Sequence, residues 1–324
     1  MRIGFLFKTR GHHGLDAALG YGINLAFVVD TQYAMAAAVA IHTAVKHTPT
    51  RISIYIVDCG LSQRDRERIK GSIPERQDVT LNFLELPEES LVDNLGIVWA
   101  KLDMIRILPC ERVLYLDGDV MVRASLEDLW NVDLKGEAIG AAPDVGYPMG
   151  HDGVERGKYF NAGVLLMDLS RIRRGTAELE TLARATKDAK LAEQDALNIH
   201  FRHWASLNLT WNAQGLGTYA TLPSPDREHL DMHDMNNPKI VHFTGPVNPS
   251  LVEVLNPYIQ PYTAKPWGYT GAPGHPFQQE WWAVLEQTAW RGLRSTTEFQ
   301  EKCEEDRQVA IRRAAKLFNE RLGI

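Results

Sequence analysis

Short apolar runs alternate with longer helix-like stretches through the first third of the chain, and several of the runs share one kind of ending. Residues 25–29 (Leu-Ala-Phe-Val-Val) form a buried-strand pattern that stops at Asp30, and residues 52–57 form another that stops at Asp58. Between them, residues 33–47 are rich in alanine and free of Gly and Pro, which predicts a helix that Thr48-Pro49 ends. Ser62 is placed to cap a second helix with a charged face, residues 80–86 read as a third strand, and residues 98–108 as a helix closed by Pro109. Arg112-Val113-Leu114-Tyr115-Leu116 is a fourth strand running directly into Asp117. Strands separated by helices in this way predict a mainly parallel sheet flanked by helices. In such sheets ligands bind beyond the carboxyl ends of the strands, which draws attention to Asp30 and Asp117; Asp58 is read as structural.

Further along, residues 125–130 predict a short helix with Ser125 as its cap, and 138–142 and 163–169 predict two apolar strands. Residues 178–201 read as helix in two pieces, and Lys239-Ile240-Val241-His242-Phe243 as the last clear strand. Residues 244–276, rich in Pro and Gly, predict a long excursion over the site, followed by helices at 278–290 and 296–322. The division expected is a catalytic domain over 1–270 and a helical appendage over 271–324.

Composition narrows the class of protein. With 324 residues, 44% hydrophobic and 23% charged, the chain can bury a large core. A net charge of −6 gives no electrostatic basis for nucleic-acid binding. The three cysteines are far apart and odd in number, which excludes a disulfide framework among them and suggests a reducing compartment. No stretch reaches the ~20 apolar residues of a membrane span. The apolar start of the chain is broken by Lys8 and Arg10, too early for a secretory signal. A cytoplasmic protein is expected.

Asp117-Gly118-Asp119 carries the clearest chemistry. Two carboxylates one residue apart after a buried strand can face one cation across a tight turn, with Gly118 expected where a side chain would crowd the backbone. Oxygen ligands of this kind suit Mg²⁺ or Mn²⁺ completed by water and phosphate. A calcium loop is excluded, because Met121 falls where an oxygen ligand is needed. An aspartyl phosphatase would also set Asp-x-Asp after an apolar strand, although usually after the first strand of its domain.

Five segments in order then resemble the retaining glycosyltransferases of family 8, which include glycogenin-like and bacterial lipopolysaccharide galactosyl- and glucosyltransferases. They are residues 27–33, residues 112–122, Tyr159-Phe160-Asn161-Ala162-Gly163-Val164-Leu165-Leu166, Glu193-Gln194-Asp195-Ala196-Leu197-Asn198, and His242-Phe243-Thr244-Gly245-Pro246, spread over roughly residues 24–270. The resemblance implies a GT-A fold, a UDP-sugar donor, Mn²⁺ (with Mg²⁺ the alternative), and transfer of a hexose, glucose or galactose, with retention of configuration. It implies that Asp117, Asp119 and His242 are the metal ligands. A lone histidine in an apolar strand is otherwise more often a satisfied core residue.

The same resemblance places Val28, Asp30, Gln32 and Tyr33 at the nucleotide, Lys101 near the donor sugar and phosphates, and Asn161, Ala162, Gly163 and Gly245 against the donor. Tyr33 would otherwise read as a helix residue packing on the sheet. Glu193, Gln194 and Asp195 match the family's Asp-Gln-Asp with a longer first carboxylate. Whether Gln194 stabilises the reacting centre or a carboxylate such as Asp195 attacks it is left open. Lys265, displaced by an insertion over 247–264, is expected at the diphosphate, with Asn248 the other occupant of that spacing. The acceptor, whether saccharide, glycolipid or small molecule, is not indicated. The 299–322 segment carries apolar residues at near-helical spacing beside Arg307, Arg312, Arg313 and Lys316, which suggests packing, a homo-oligomer or peripheral membrane contact. The reading from another class is a non-catalytic nucleotide-sugar-binding protein on the same fold.

Overall fold

A computed structural model describes residues 22–245, 265–268, 272 and 274–323. Pro246, Asn248 and the rest of the 247–264 insertion lie outside these residues, as does the start of the chain. Seven strands form the main sheet in the order β3-β2-β1-β4-β7-β6-β8. They are β1 (Ile23–Val29), β2 (Ile52–Asp58), β3 (Val79–Glu85), β4 (Arg112–Leu116), β6 (Ile139–Pro143), β7 (Phe160–Asp168) and β8 (Ala205–Ser206). β1 to β4 pair with one another in parallel, whereas β7 runs antiparallel to both β4 and β6. β5 (Val120–Val122), β9 (Ala213–Gln214) and β10 (Ile240–His242) make a second, three-stranded sheet in the order β5-β10-β9. This is the mixed, mainly parallel arrangement of the GT-A fold.

Side chains of successive strand residues point to opposite faces, and the central strands are apolar on both. Leu25, Phe27, Ile54, Ile56, Leu114 and Leu116 enter one core, with helix α1 (Ala34–His47) packed over it. Ala26, Tyr55, Val57, Val113 and Tyr115 enter the other, with α3 (Ala100–Ile107) and α5 (Glu193–His200) over that face. α2 (Gln63–Gly71) begins at Ser62, whose hydroxyl accepts from Asp65 N as the sequence predicts. The Oγ of Ser125 accepts from Glu127 N at 3.2 Å, one position before the cap residue of the short Glu127–Trp130 helix. Asp58 is structural: its Oδ1 accepts from Gly60 and Leu61 N–H, and Arg66 pairs with Oδ2 at 2.6 Å.

α4 (Thr176–Ala185) and α5 are the two expected pieces of the 178–201 segment. α6 (Gln278–Leu285) is shorter than the sequence suggests and joins the α1-side core through Trp281, Trp282, Val284 and Leu285. Packing therefore does not separate α6 from the strands. His275, just before it, stacks on Phe243 with ring centres 4.6 Å apart, and burial pushes its imidazole down to about 4. The last helix, α7 (Thr297–Leu322), has no buried residue among those described. At 1.5 Å per residue its 26 residues extend about 39 Å. No described helix is long and apolar enough to cross a membrane.

Candidate active site

β4 hands the chain to Asp117-Gly118-Asp119, and the chain leaves along β5 in the second sheet. Asp117 N–H donates to Gly163 O on β7 (2.8 Å), and Phe243 N–H to Asp119 O (3.0 Å), so both ends of the turn are tied to neighbouring strands. β10 runs antiparallel to β5 with His242 opposite Val120, which brings the imidazole back to the carboxylates. Ligand atoms of Asp117, Asp119 and His242 lie within 4.8 Å of one another. His242 Nε2 is 3.2 Å from Asp119 Oδ1 and 3.7 Å from Asp117 Oδ2.

Gly163 makes room for this cluster. A Cβ at 163 would lie 2.2 Å from His242 Cε1 and 2.8 Å from Asp117 Oδ2, so any side chain would displace the group. Two carboxylates and an imidazole nitrogen converging in this way fit a divalent cation. Gly118 differs from expectation. Its φ is not in the left-handed region, and a Cβ there would meet Ala37 and Tyr33 at an ordinary 3.6 Å. Its lack of a side chain keeps open the cavity beside Tyr33.

That cavity, about 280 Å³, collects most of the residues singled out from sequence: Val28, Asp30, Gln32, Tyr33, Lys101, Asp117, Gly118, Asp119 and Glu193. Asp30 Oδ1 accepts from Tyr33 N at 2.9 Å, a turn that starts α1 and leaves Tyr33 37% exposed. Lys101, projecting from α3, is buried. Its Nζ donates to Ala162 O and Glu193 at 3.0 Å, sits 3.4 Å from Asp117 Oδ1, and lies 4.7 Å from the Tyr115 ring centre. Burial alone would lower the Lys101 pKa, but Asp117 and Glu193 outweigh it and hold the ammonium above its ordinary value.

Tyr115 was missed in the sequence. Its hydroxyl donates to Asp117 Oδ1 at 2.6 Å, and burial with the Asp117 charge pushes its pKa well up, so the proton stays. The available signal was strand parity, since Tyr115 and Asp117 are two residues apart. Asp119 is buried, which would raise its pKa, yet Lys265 and His242 hold it well below the usual carboxylate range. Lys265 Nζ pairs with Asp119 Oδ2 and lies 6.0 Å from the ring centres of Tyr33 and Trp267.

The remaining predicted residues lie beneath the cavity. Asn161, Ala162 and Gly163 belong to β7 itself rather than preceding it, so Asn161 and Gly163 share a face of the strand. Gln194 accepts from Ala162 N–H at 2.9 Å and donates to Asp144 at 3.0 Å. Asp195 is 1% exposed; its Oδ1 receives Tyr159 OH and His151 Nε2, the latter at 2.8 Å, and its Oδ2 receives Leu191 N–H at 3.0 Å. Gly245 follows Thr244, whose hydroxyl accepts from Gly215 N–H at 2.9 Å. Asp144, Asn212 and Gln214, all buried, were also missed. Asp144 does follow a strand of small apolar residues, as Asp30 and Asp117 follow theirs.

Comparison with known proteins agrees with this geometry. The family described as "Glycosyl transferase family 8" matches residues 24–249. General stress protein A of Bacillus subtilis is 26% identical over 268 residues, 75% of this chain and 85% of that protein. Probable galacturonosyltransferase-like 9 of Arabidopsis thaliana is 25% identical over 62% of this chain and 60% of that protein. The crystal structure of galactosyltransferase LgtC in complex with donor and acceptor sugar analogues superposes with a TM-score of 0.59 at 24% identity. The match covers 83% of this chain and 99% of LgtC. A sheet of this order with a carboxylate turn at the end of its central strand defines a GT-A glycosyltransferase. The chain belongs to glycosyl transferase family 8.

Proposed function

We propose that the chain transfers a neutral hexose, glucose or galactose, from a UDP-sugar to an acceptor hydroxyl with retention of configuration, in a reaction that requires Mn²⁺. The observation that carries this reading is the convergence of Asp117, Asp119 and His242 at the edge of the cavity lined by Asp30, Gln32, Tyr33 and Lys101. Those three residues would hold the ion, which when bound neutralises charge on the departing diphosphate. Lys265, already at Asp119, adds a mobile positive charge on the same side. Tyr33 offers a ring face to the base, and Asp30 Oδ2 an acceptor for a base N–H or ribose hydroxyl.

Among the motif residues, Asp195 has both oxygens occupied, which supports a holding role for it. Glu193, which lines the cavity, is then left to meet the sugar, and Gln194, held at both ends by Ala162 N–H and Asp144, can add only its second N–H and lone pair. The acceptor hydroxyl attacks from the face the diphosphate leaves. A uronate donor, suggested by the plant relative's name, is disfavoured at this cavity. Lys101 is the cation nearest Glu193, and it already serves Glu193 and Asp117. A sugar carboxylate would meet Glu193, Asp117 and Asp119, and among the described residues the two lysines beside them, Lys101 and Lys265, are already paired with these carboxylates. α7, which meets the core through Phe299 near its start, remains our candidate for the appendage.

The test is release of UDP from UDP-glucose, UDP-galactose, their N-acetyl forms and UDP-galacturonate, with Mn²⁺ and with chelator. Turnover of a neutral hexose donor only with the ion is expected. Turnover confined to UDP-galacturonate would overturn the choice of sugar. Donor binding without turnover of any of them would favour a non-catalytic binding protein.

A further inference from the structure

Beneath the turn, hydrogen-bond polarity is handed along four buried side chains in a way that has one solution. Asp144 stands at the start. Its Oδ1 accepts from Tyr147 N–H at 2.8 Å, and its Oδ2 accepts from Asn161 Nδ2 and Gln194 Nε2, both at 3.0 Å. A carboxylate can only accept, so Asn161 must turn its NH₂ toward Asp144 and its oxygen away. That oxygen receives Gly163 N–H at 3.0 Å and Asn212 Nδ2 at 2.9 Å. Asn212, having given its NH₂ to Asn161, has only its oxygen left for His242 Nδ1 at 3.0 Å. Nδ1 must therefore carry a proton, and Nε2 is the nitrogen aimed at Asp117 and Asp119.

The other branch is equally constrained. Gln194 gives its NH₂ to Asp144, so its oxygen faces Ala162 N–H. Every member is 9% exposed or less: Asp144 5%, Asn161 7%, Asn212 0%, His242 3% and Gln194 9%. Water is thus not at hand to accept or donate in place of a partner, and a reversed amide would set donor against donor in a dry site.

We propose that Asp144 is a positioning residue: with Gly163 N–H it fixes Asn161, and through Asn161 and Asn212 the tautomer and aim of His242, and with Ala162 N–H it fixes the orientation of Gln194. One buried carboxylate then aligns the metal-binding imidazole with the amide on the sugar side. The proposal rests on the function proposed above for those two residues. A carboxylate that served only to cap the turn at Tyr147 would leave both untouched.

The substitution that tests it is Asp144→Leu, close in shape and without an acceptor for Asn161 or Gln194. In metal-free protein labelled at the imidazole nitrogens, with His242 assigned by its loss in His242→Gln, native Nδ1 should be protonated. In Asp144→Leu the amides lose their fixed polarity, that proton should no longer be confined to Nδ1, and Mn²⁺ affinity, measured with the metal alone, should weaken by about 10- to 100-fold. UDP release should fall with it.

Circular dichroism accompanies each variant. If Asp144→Leu does not fold, Asn212→Leu cuts the last link and should move the same proton. A bare Nδ1 in native protein would overturn the proposal, as would folded Asp144→Leu with both readouts within about twofold of native, well inside the usual outer-shell effect. Native protein that binds no Mn²⁺ would instead sink the metal reading, and the protonation of His242 would still decide this one.

Discussion

Across the Asp117-Gly118-Asp119 turn, the two walls of the site differ in how they are held. On the β1 side, Gln32 and Tyr33 are exposed, and one hydrogen bond from Tyr33 N–H to Asp30 shapes the local turn. On the β7 side, Asn161, Asn212, His242, Gln194 and Asp144 are buried, and each polar end of the amides has a partner. The first wall can adjust to a ligand at little cost. The second is fixed before any ligand arrives, and fixed polar groups in a dry site are where transition-state charge is best stabilised. Damage to the buried wall should therefore fall on the chemistry and damage to the open wall on binding.

The largest effect is expected at the junction of the two. Asp119→Ala removes a ligand and leaves His242 and Lys265 without their carboxylate; Mn²⁺-dependent UDP release should fall by about a thousandfold or more. Normal turnover in that variant would remove the metal from the mechanism. Gly163→Ala tests the buried wall by crowding it rather than by removing a polar group. Its methyl would press on His242 Cε1, so a stability loss of about 1–3 kcal/mol and clearly weaker Mn²⁺ binding should appear together. A variant that kept both would show that the wall is softer than its packing implies.

A comparable effect belongs to His275, behind the site. Its folded pKa, about 4, lies below the ordinary 6.5, so the unfolded chain binds more protons between these values. Its contribution is complete above about 6.5 and is lost as pH falls toward 4, on the order of 3 kcal/mol in all. His275→Phe should flatten that part of the stability–pH curve in denaturant melts. An unchanged slope would show that another group is responsible. The smallest change is expected on the open wall. Tyr33→Ala should raise the donor KM by about tenfold, the lower part of the range for base stacking, with kcat nearly kept. A fall in kcat alone would reverse the contrast between the walls.

The parts legible in the sequence are those where neighbouring residues act together. Residues 25–29 are apolar throughout and residues 52–57 apart from Ser53, because both faces of the sheet are covered, and Asp117 and Asp119 stand out against such a strand. What stayed hidden depends on distant partners. β5 and β9 are three and two residues long, too short for periodicity to register. Asn212 meets Asn161 from 51 positions away, and Asp144 meets Gln194 from 50, so nothing local marks them as members of one network. Gly118 misled in the opposite sense, because a glycine between two carboxylates looks like a backbone requirement and is not one here.

Position 163 has a consequence for how this site can change. The smallest step available to it, one added carbon, collides with both Asp117 in the turn and His242 on β10, so no gradual series of side chains leads away from glycine. A library randomised at this codon alone and sorted for Mn²⁺ capture should return glycine and nothing else. A second residue should be recovered only when His242 is randomised with it. In a lineage, that coupling makes the site a ratchet: the histidine can be lost first and the glycine afterwards, but not in the reverse order.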